Sequence, residues 1–98
     1  MDFKALIWQY GQGKRDFSRL DLQRIELIRE MLIEIDFSRT SLEWANLSGT
    51  NLTGADLNRA DLIYARLLSA KLIDADLTGA NLQNADLSWV DLENATLA

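Results

Sequence analysis

Leucine or phenylalanine recurs at every fifth position from Phe17 to Leu97, seventeen times without insertion or slip. Two residues before each lies a second patterned position, which from residue 35 onward reads Ile35, Thr40, Ala45, Thr50, Ala55, Ala60, Ala65, Ala70, Ala75, Ala80, Ala85, Val90 and Ala95. Between the two sits mostly Asp or Asn, as at Asp36, Asn46, Asn51, Asp56, Asp61, Asp76, Asn81, Asp86 and Asp91. The unit is therefore Ala-Asp/Asn-Leu-x-x. A period of five suits neither regular element. On an α-helix of 3.6 residues per turn the leucines would wander around the cylinder, and on one continuous strand an odd period would send them alternately to opposite faces. The pattern works if the chain turns a corner every five residues. Within each unit the small residue and the leucine, two apart, then point to the same inner side, and the last two residues make the bend. Gly49, Gly54 and Gly79 occupy the final corner slot, where a type II turn needs positive φ. Asn84 and Asn94 fill the same slot, and Asn tolerates that conformation better than most residues. Corners such as Ile63-Tyr64 and Leu68-Ser69 have neither, and another turn geometry is expected there.

These units closely resemble the pentapeptide-repeat family, whose members are abundant in cyanobacteria. The match covers about four fifths of the chain and is densest from Phe37 to Leu97. The resemblance implies an all-β solenoid: a right-handed quadrilateral parallel β-helix with twenty residues per coil. Residues 15 to 98 would then make slightly more than four coils, a rod roughly 20 Å long at parallel-strand spacing. Four inward leucines per coil would fill the axis and leave no pocket. The expected organisation is a capping helix and linker over 1–14 and a β-helix over 15–98, with an irregular first coil at 15–36 and regular repeats at 37–98.

The N-terminal third departs from the pattern. Asp2 can cap a helix whose apolar residues Phe3, Leu6, Ile7 and Tyr10 follow i, i+3, i+4, i+7 spacing, with Gly11 as a stop. A helix there would cover the open edges and leucines of the first coil. Residues 21–36 admit two readings. Leu27 and Leu32 keep the five-residue register, yet Leu22, Ile25, Ile28, Leu32 and Ile35 also stand at helix-like spacing. The unbroken register favours an irregular coil. Glu30 would then point inward, with Arg15, also at an inward slot, as its candidate partner.

Composition narrows the chemistry. The 98 residues allow one domain and include no Cys and no His, which removes disulfides, thiolate metal sites and the commonest general base. Fifteen acids against ten bases give a net charge of -5, so direct nucleic-acid binding is not expected. No signal peptide or membrane-length apolar run is seen, and a cytoplasmic location is expected. No cofactor, metal site or catalytic residue is assigned: the carboxylates form regular arrays, and no P-loop, nucleophile elbow or dinucleotide fingerprint occurs. Asp16, Asp36, Asp56 and Asp76 would stack as one column and Arg19, Arg39 and Arg59 as another, neutralising each other on a solvated face.

The expected function is a non-catalytic interaction or scaffolding module. The pattern stops at Leu97-Ala98 in mid-repeat, so Leu82, Leu87, Leu92 and Leu97 would line an uncapped apolar end. That end is a candidate surface for end-to-end association with a second copy or another repeat protein. Trp44, Ile63 and Tyr64 at a neighbouring corner form a candidate lateral contact, while Leu68 and Ile73 point outward from other faces and Trp89 lies at a corner of the last full coil. The resemblance supplies the alternative, since some family members mimic DNA and bind type II topoisomerases such as gyrase.

Overall fold

The computed structural model describes all 98 residues. One α-helix, α1 (Phe3–Gly11), precedes a stack of coils built entirely from turns and isolated parallel bridges. Each bridge joins residues twenty apart, from Asp16↔Asp36 and Asp21↔Ser41 through to Asp76↔Thr96. Every side of a coil is therefore so short that its pairing reduces to a single bridge, with no extended strand between corners. The regular coils begin at residues 15, 35, 55 and 75, each making four turns, and residue 95 opens a fifth. With α1 included the molecule measures 30 × 23 × 21 Å.

Three backbone hydrogen bonds tie each unit to the next coil. At the first, the Phe17 amide donates to Asp36 O, Asp36 N donates to Arg15 O, and Arg19 N donates to Ser38 O, at 2.9, 2.8 and 3.0 Å. Within a coil, the amide of the small residue closes the preceding turn onto the leucine carbonyl, as Ala45 N does to Leu42 O at 3.0 Å. The residue before that amide is left-handed at every corner from Arg19 to Asn94. Corners lacking Gly or Asn are no exception: Tyr64 has φ 58 and Ser69 φ 60, against 70 at Gly49. A distinct turn for Ile63-Tyr64 and Leu68-Ser69 is thus ruled out, because stacking requires all corners of one column to bend alike. For each non-glycine residue this conformation costs roughly 1–2 kcal/mol, which the inter-coil bonds and core burial must offset.

The Asp/Asn position has a local reason. Its side-chain Oδ1 accepts the amide two residues on, the first of the turn: Ser18 N to Asp16 at 3.0 Å, Ser38 N to Asp36 at 2.9 Å, Asn58 N to Asp56 at 2.9 Å and Thr78 N to Asp76 at 2.9 Å. These bonds satisfy an amide that donates to no backbone carbonyl. The Asp column thus serves its own turns first, rather than the Arg column beside it. Hydrogen bonds from Ser18, Thr78 and Ser88, through hydroxyl and then amide, hold the carboxyls of Asp16, Asp76 and Asp86 below the usual range.

The core runs along the axis from Phe17 to Leu77, with Leu, Phe, Ile and Ala side chains almost wholly buried. The two buried Thr residues are satisfied. Thr40 Oγ1 donates to Phe37 O at 2.6 Å. Thr50 Oγ1 donates to Leu27 O while accepting Glu30 N at 3.1 Å, so a second-coil hydroxyl bridges the two ends of a first-coil turn that lacks its own closing bond.

Residues 15–36 keep the backbone of the later coils, with bridges at Asp16, Asp21, Glu26 and Met31 and left-handed corners at Arg19, Arg24, Arg29 and Glu34. Their irregularity lies in the side chains and in two turns, Phe17–Leu20 and Leu27–Glu30, that lack the closing backbone bond made at every later corner. Glu30 is half-buried, and Arg15 does not serve it. The Arg15 guanidinium is exposed, lies 3.8 Å from the Tyr10 ring centroid and donates to Tyr10 O at 3.0 Å at the C-terminus of α1, where a cation is favoured.

In α1, Asp2 accepts the Ala5 amide at 2.9 Å as N-cap. Leu6 is fully buried, Ile7 and Tyr10 pack on the core, and Tyr10 Oη donates to Ile33 O, an open carbonyl of the first coil, at 2.7 Å. Phe3, expected on the packed face, is 41% exposed instead, one turn beyond the end of the core. Gly11 stays within the helix, and the stop comes at Gly13 (φ 102). There Gly13 N donates to Tyr10 O and Lys14 N to Gln9 O, the paired bonds of a Schellman ending.

Three measurements check this account. Gly49→Ala should destabilise the protein by about 1–2 kcal/mol in urea, since φ is positive and the new Cβ would meet Arg29 Cγ at 3.0 Å. Arg39→Gly should instead stabilise it by up to about 1 kcal/mol. Thr50→Val should cost about 1–3 kcal/mol by stranding the Leu27 carbonyl and Glu30 amide, whereas Thr40→Val should cost less because its amide still closes the turn. For the Asp residues the sign follows from a folded pKa below the unfolded value of 3.8: their contribution is complete above that value and disappears as pH falls through the folded values. An Asp16→Asn, Asp76→Asn, Asp86→Asn triple variant keeps the acceptor oxygens and does not titrate. Its acid-unfolding midpoint by circular dichroism should move to lower pH.

Candidate functional site

With the axis filled by leucines, recognition chemistry is left to the corners, the faces and the open end. At the second corner, residues twenty apart form a ladder of Arg24, Trp44, Tyr64 and Asn84. The Trp44 and Tyr64 rings lie parallel within 9°, their centroids 4.4 Å apart, and the Arg24 guanidinium sits 5.4 Å from the Trp44 centroid. Both rings remain nearly half exposed, at 49% and 44%. Ile63 is half-buried beside them and donates its amide to Asp61 Oδ1 at 3.2 Å. Glu43, one coil before Ile63, carries a shielded Oε1 with no hydrogen-bond partner. Trp44, Ile63 and Tyr64 are thus brought together as one stacked, cation-fronted patch beside an unsatisfied carboxylate oxygen. The sequence pattern located the aromatics; the orphaned oxygen depends on side-chain packing that no periodicity encodes.

The C-terminal end differs. Leu82, Leu87 and Leu92 are half-buried and Leu97 is 56% exposed, whereas Leu57 to Leu77 are buried. The amides of Leu82, Leu87 and Leu92 donate to no backbone carbonyl, although their counterparts one coil earlier do. Apolar side chains and open donors therefore share one surface.

The third corner holds a feature that emerges only when residues twenty apart are compared. Ser48 and Gly49 lie between Ile28-Arg29 and Leu68-Ser69, and the small pair leaves a shallow groove of about 170 Å³. Ile28 and Leu68 are 45% and 41% exposed on its rim. Two coils along from Gly49, at the same corner, stands Trp89, 86% exposed. No cluster of three or more carboxylates converges as a metal-ligand set, and no helix is long and apolar enough to cross a membrane.

A sequence profile described as pentapeptide repeats in eight copies matches residues 35–72 and 65–97. No curated protein matches the sequence. Among solved structures, the pentapeptide-repeat protein Rfr23 from the cyanobacterium Cyanothece 51142 is 36% identical with a TM-score of 0.78, over 85% of this chain and 64% of that one. HetL, a pentapeptide-repeat protein involved in heterocyst differentiation regulation in Nostoc sp. strain PCC 7120, is 33% identical with a TM-score of 0.69, over 97% of this chain and 48% of its own. A pentapeptide-repeat protein of the Arabidopsis thaliana thylakoid lumen is 35% identical with a TM-score of 0.65, over 90% and 58%. The chain spans less than two thirds of the length of these three relatives. Its unbroken five-residue register, its bridges at twenty-residue intervals and these likenesses together make the chain a member of the pentapeptide-repeat family of right-handed β-helices.

Proposed function

We propose that the chain is a non-catalytic interaction module whose open coil receives a further β-helical segment, from a second copy or from another repeat protein. The observation that carries this reading is the C-terminal surface, where partly exposed Leu82, Leu87, Leu92 and Leu97 alternate with amides that have no acceptor. A stacked coil would satisfy those donors by the three-bond scheme used throughout the molecule and would cover the leucines at about 25 cal/mol per Å² of apolar area. The reading concerns this surface alone, whichever polypeptide supplies the next coil. Family members generally act as structural or interaction modules, and the absence of an interior cleft is in keeping with that. Trp44, Ile63 and Tyr64 offer a second, lateral contact of the aromatic and cationic composition that interfaces favour.

The topoisomerase-binding alternative is weaker. A DNA mimic needs uninterrupted negative charge, whereas Arg19, Arg39 and Arg59 run alongside the Asp16, Asp36, Asp56 and Asp76 column. A gyrase supercoiling assay showing no inhibition at micromolar protein would remove it.

Light scattering on the full chain tests the main reading. The mass should rise above that of a monomer with concentration, and Leu97→Glu should reduce the effect while leaving the circular dichroism unchanged. A strict monomer at high concentration would sink the proposal.

A further inference from the structure

Trp89 is the most exposed large apolar side chain of the molecule at 86%, and the groove at Ser48-Gly49 is its one concavity. Both lie on the third corner, on the second and fourth coils. The neighbouring corner shows what such a slot accepts: Arg24 of the first coil lies over Trp44 of the second. At the third corner the equivalent Arg29 leans over the second coil in the same way, its Cγ being 3.0 Å from where a Gly49 Cβ would stand, but the residue beneath it is glycine. The Arg29 stem thus lies against the Gly49 backbone, the open room of the groove is left beside it between Ile28, Ser48 and Leu68, and the same molecule presents an unpacked tryptophan two coils away.

We propose that two copies associate side by side and antiparallel through this corner, each laying Trp89 into the other's Ser48-Gly49 groove beside Arg29. Knob and groove on one column make the contact self-complementary: a twofold axis at the third coil carries each Trp89 onto the opposite groove. The same operation brings Leu68, 41% exposed, close to its counterpart near the axis. Charge selects the antiparallel sense. Trp89 is flanked by the exposed carboxylates of Asp86 and Asp91. A parallel pairing would set these against themselves, whereas the antiparallel one sets them against the level of the neutral Asn46 and Asn51, below Arg29. The Arg29 guanidinium then meets both an aromatic face and an acidic rim. The contact is one column wide, smaller than a standard interface, and so belongs to the weak, reversible class.

Sedimentation equilibrium of the full 98-residue chain tests this, with emission of Trp89 in a Trp8→Phe, Trp44→Phe background as a second readout. The expected result is a monomer–dimer equilibrium in the micromolar to millimolar range, with Trp89 emission shifting to the blue as dimer forms. Trp89→Ala and the groove-filling Ser48→Trp should each weaken the dimer by about tenfold or more. Arg29→Glu should weaken it several-fold, and Arg29→Glu combined with Asp91→Arg should recover most of that loss, which a folding defect would not. Leu97→Glu, which opposes stacking at the coil end, should leave this dimer unchanged, so the two modes of association fail independently. A chain monomeric throughout the range, or a dimer untouched by Trp89→Ala, overturns the proposal.

Discussion

The geometry of this protein follows from how little room lies around its axis. Each side of a coil holds two inward side chains, a large one and a small one, before the chain must turn to keep the leucines facing one another. The turn, in its hydrogen-bonded form, requires a left-handed residue at its third position. That requirement is met sixteen times between Arg19 and Asn94, only three of them by glycine. Arg, Trp, Tyr, Glu and Ser are held there against their own preference because the coils stacked on them bend at the same place. The backbone strain is local, while the force that maintains it is shared by the whole stack.

Two consequences bear on function. With the interior committed to leucine, the surface is the only place where residues vary freely, and variation is read out in columns of residues twenty apart. An aromatic ladder, an Asp column and a groove are all statements about one column. The second consequence concerns the ends, where the inter-coil bonds run out. The two ends are treated differently: α1 lays Leu6 and Tyr10 over the first coil and gives the Ile33 carbonyl a donor, while the last leucines and their amides remain open.

Much of this was legible in the residues. Leu at every fifth position and Ala two before it sufficed to place the corners and the core, while the four corners per coil came from the family resemblance and not from the spacing. The capping helix was legible through Asp2 and the spacing of Leu6, Ile7 and Tyr10. Other features were not. The left-handed state of Tyr64 and Ser69 is imposed by neighbours and opposes intrinsic preference, so residue type pointed the wrong way. Arg15 was expected inside with Glu30, but the end of α1 lies closer and supplies carbonyls and a ring. The Asp carboxylates looked like partners for the Arg column, although the amides two residues on compete at shorter range. The groove at Gly49 lies in no contiguous stretch of sequence, and only the twenty-residue alignment of coils reveals it.

The twenty-residue bridge has a further implication for how such a surface could change through insertions and deletions. Removing five residues from a coil would keep every leucine in the core, yet every column beyond the cut would move to the adjacent side. Trp89 would then leave the line of Gly49 and join that of Trp44. Removing twenty would shorten the rod and leave the columns aligned. A lineage of these proteins can thus rotate one half of its surface against the other in quarter-turn steps without disturbing what lies inside, so the same core can carry many different faces.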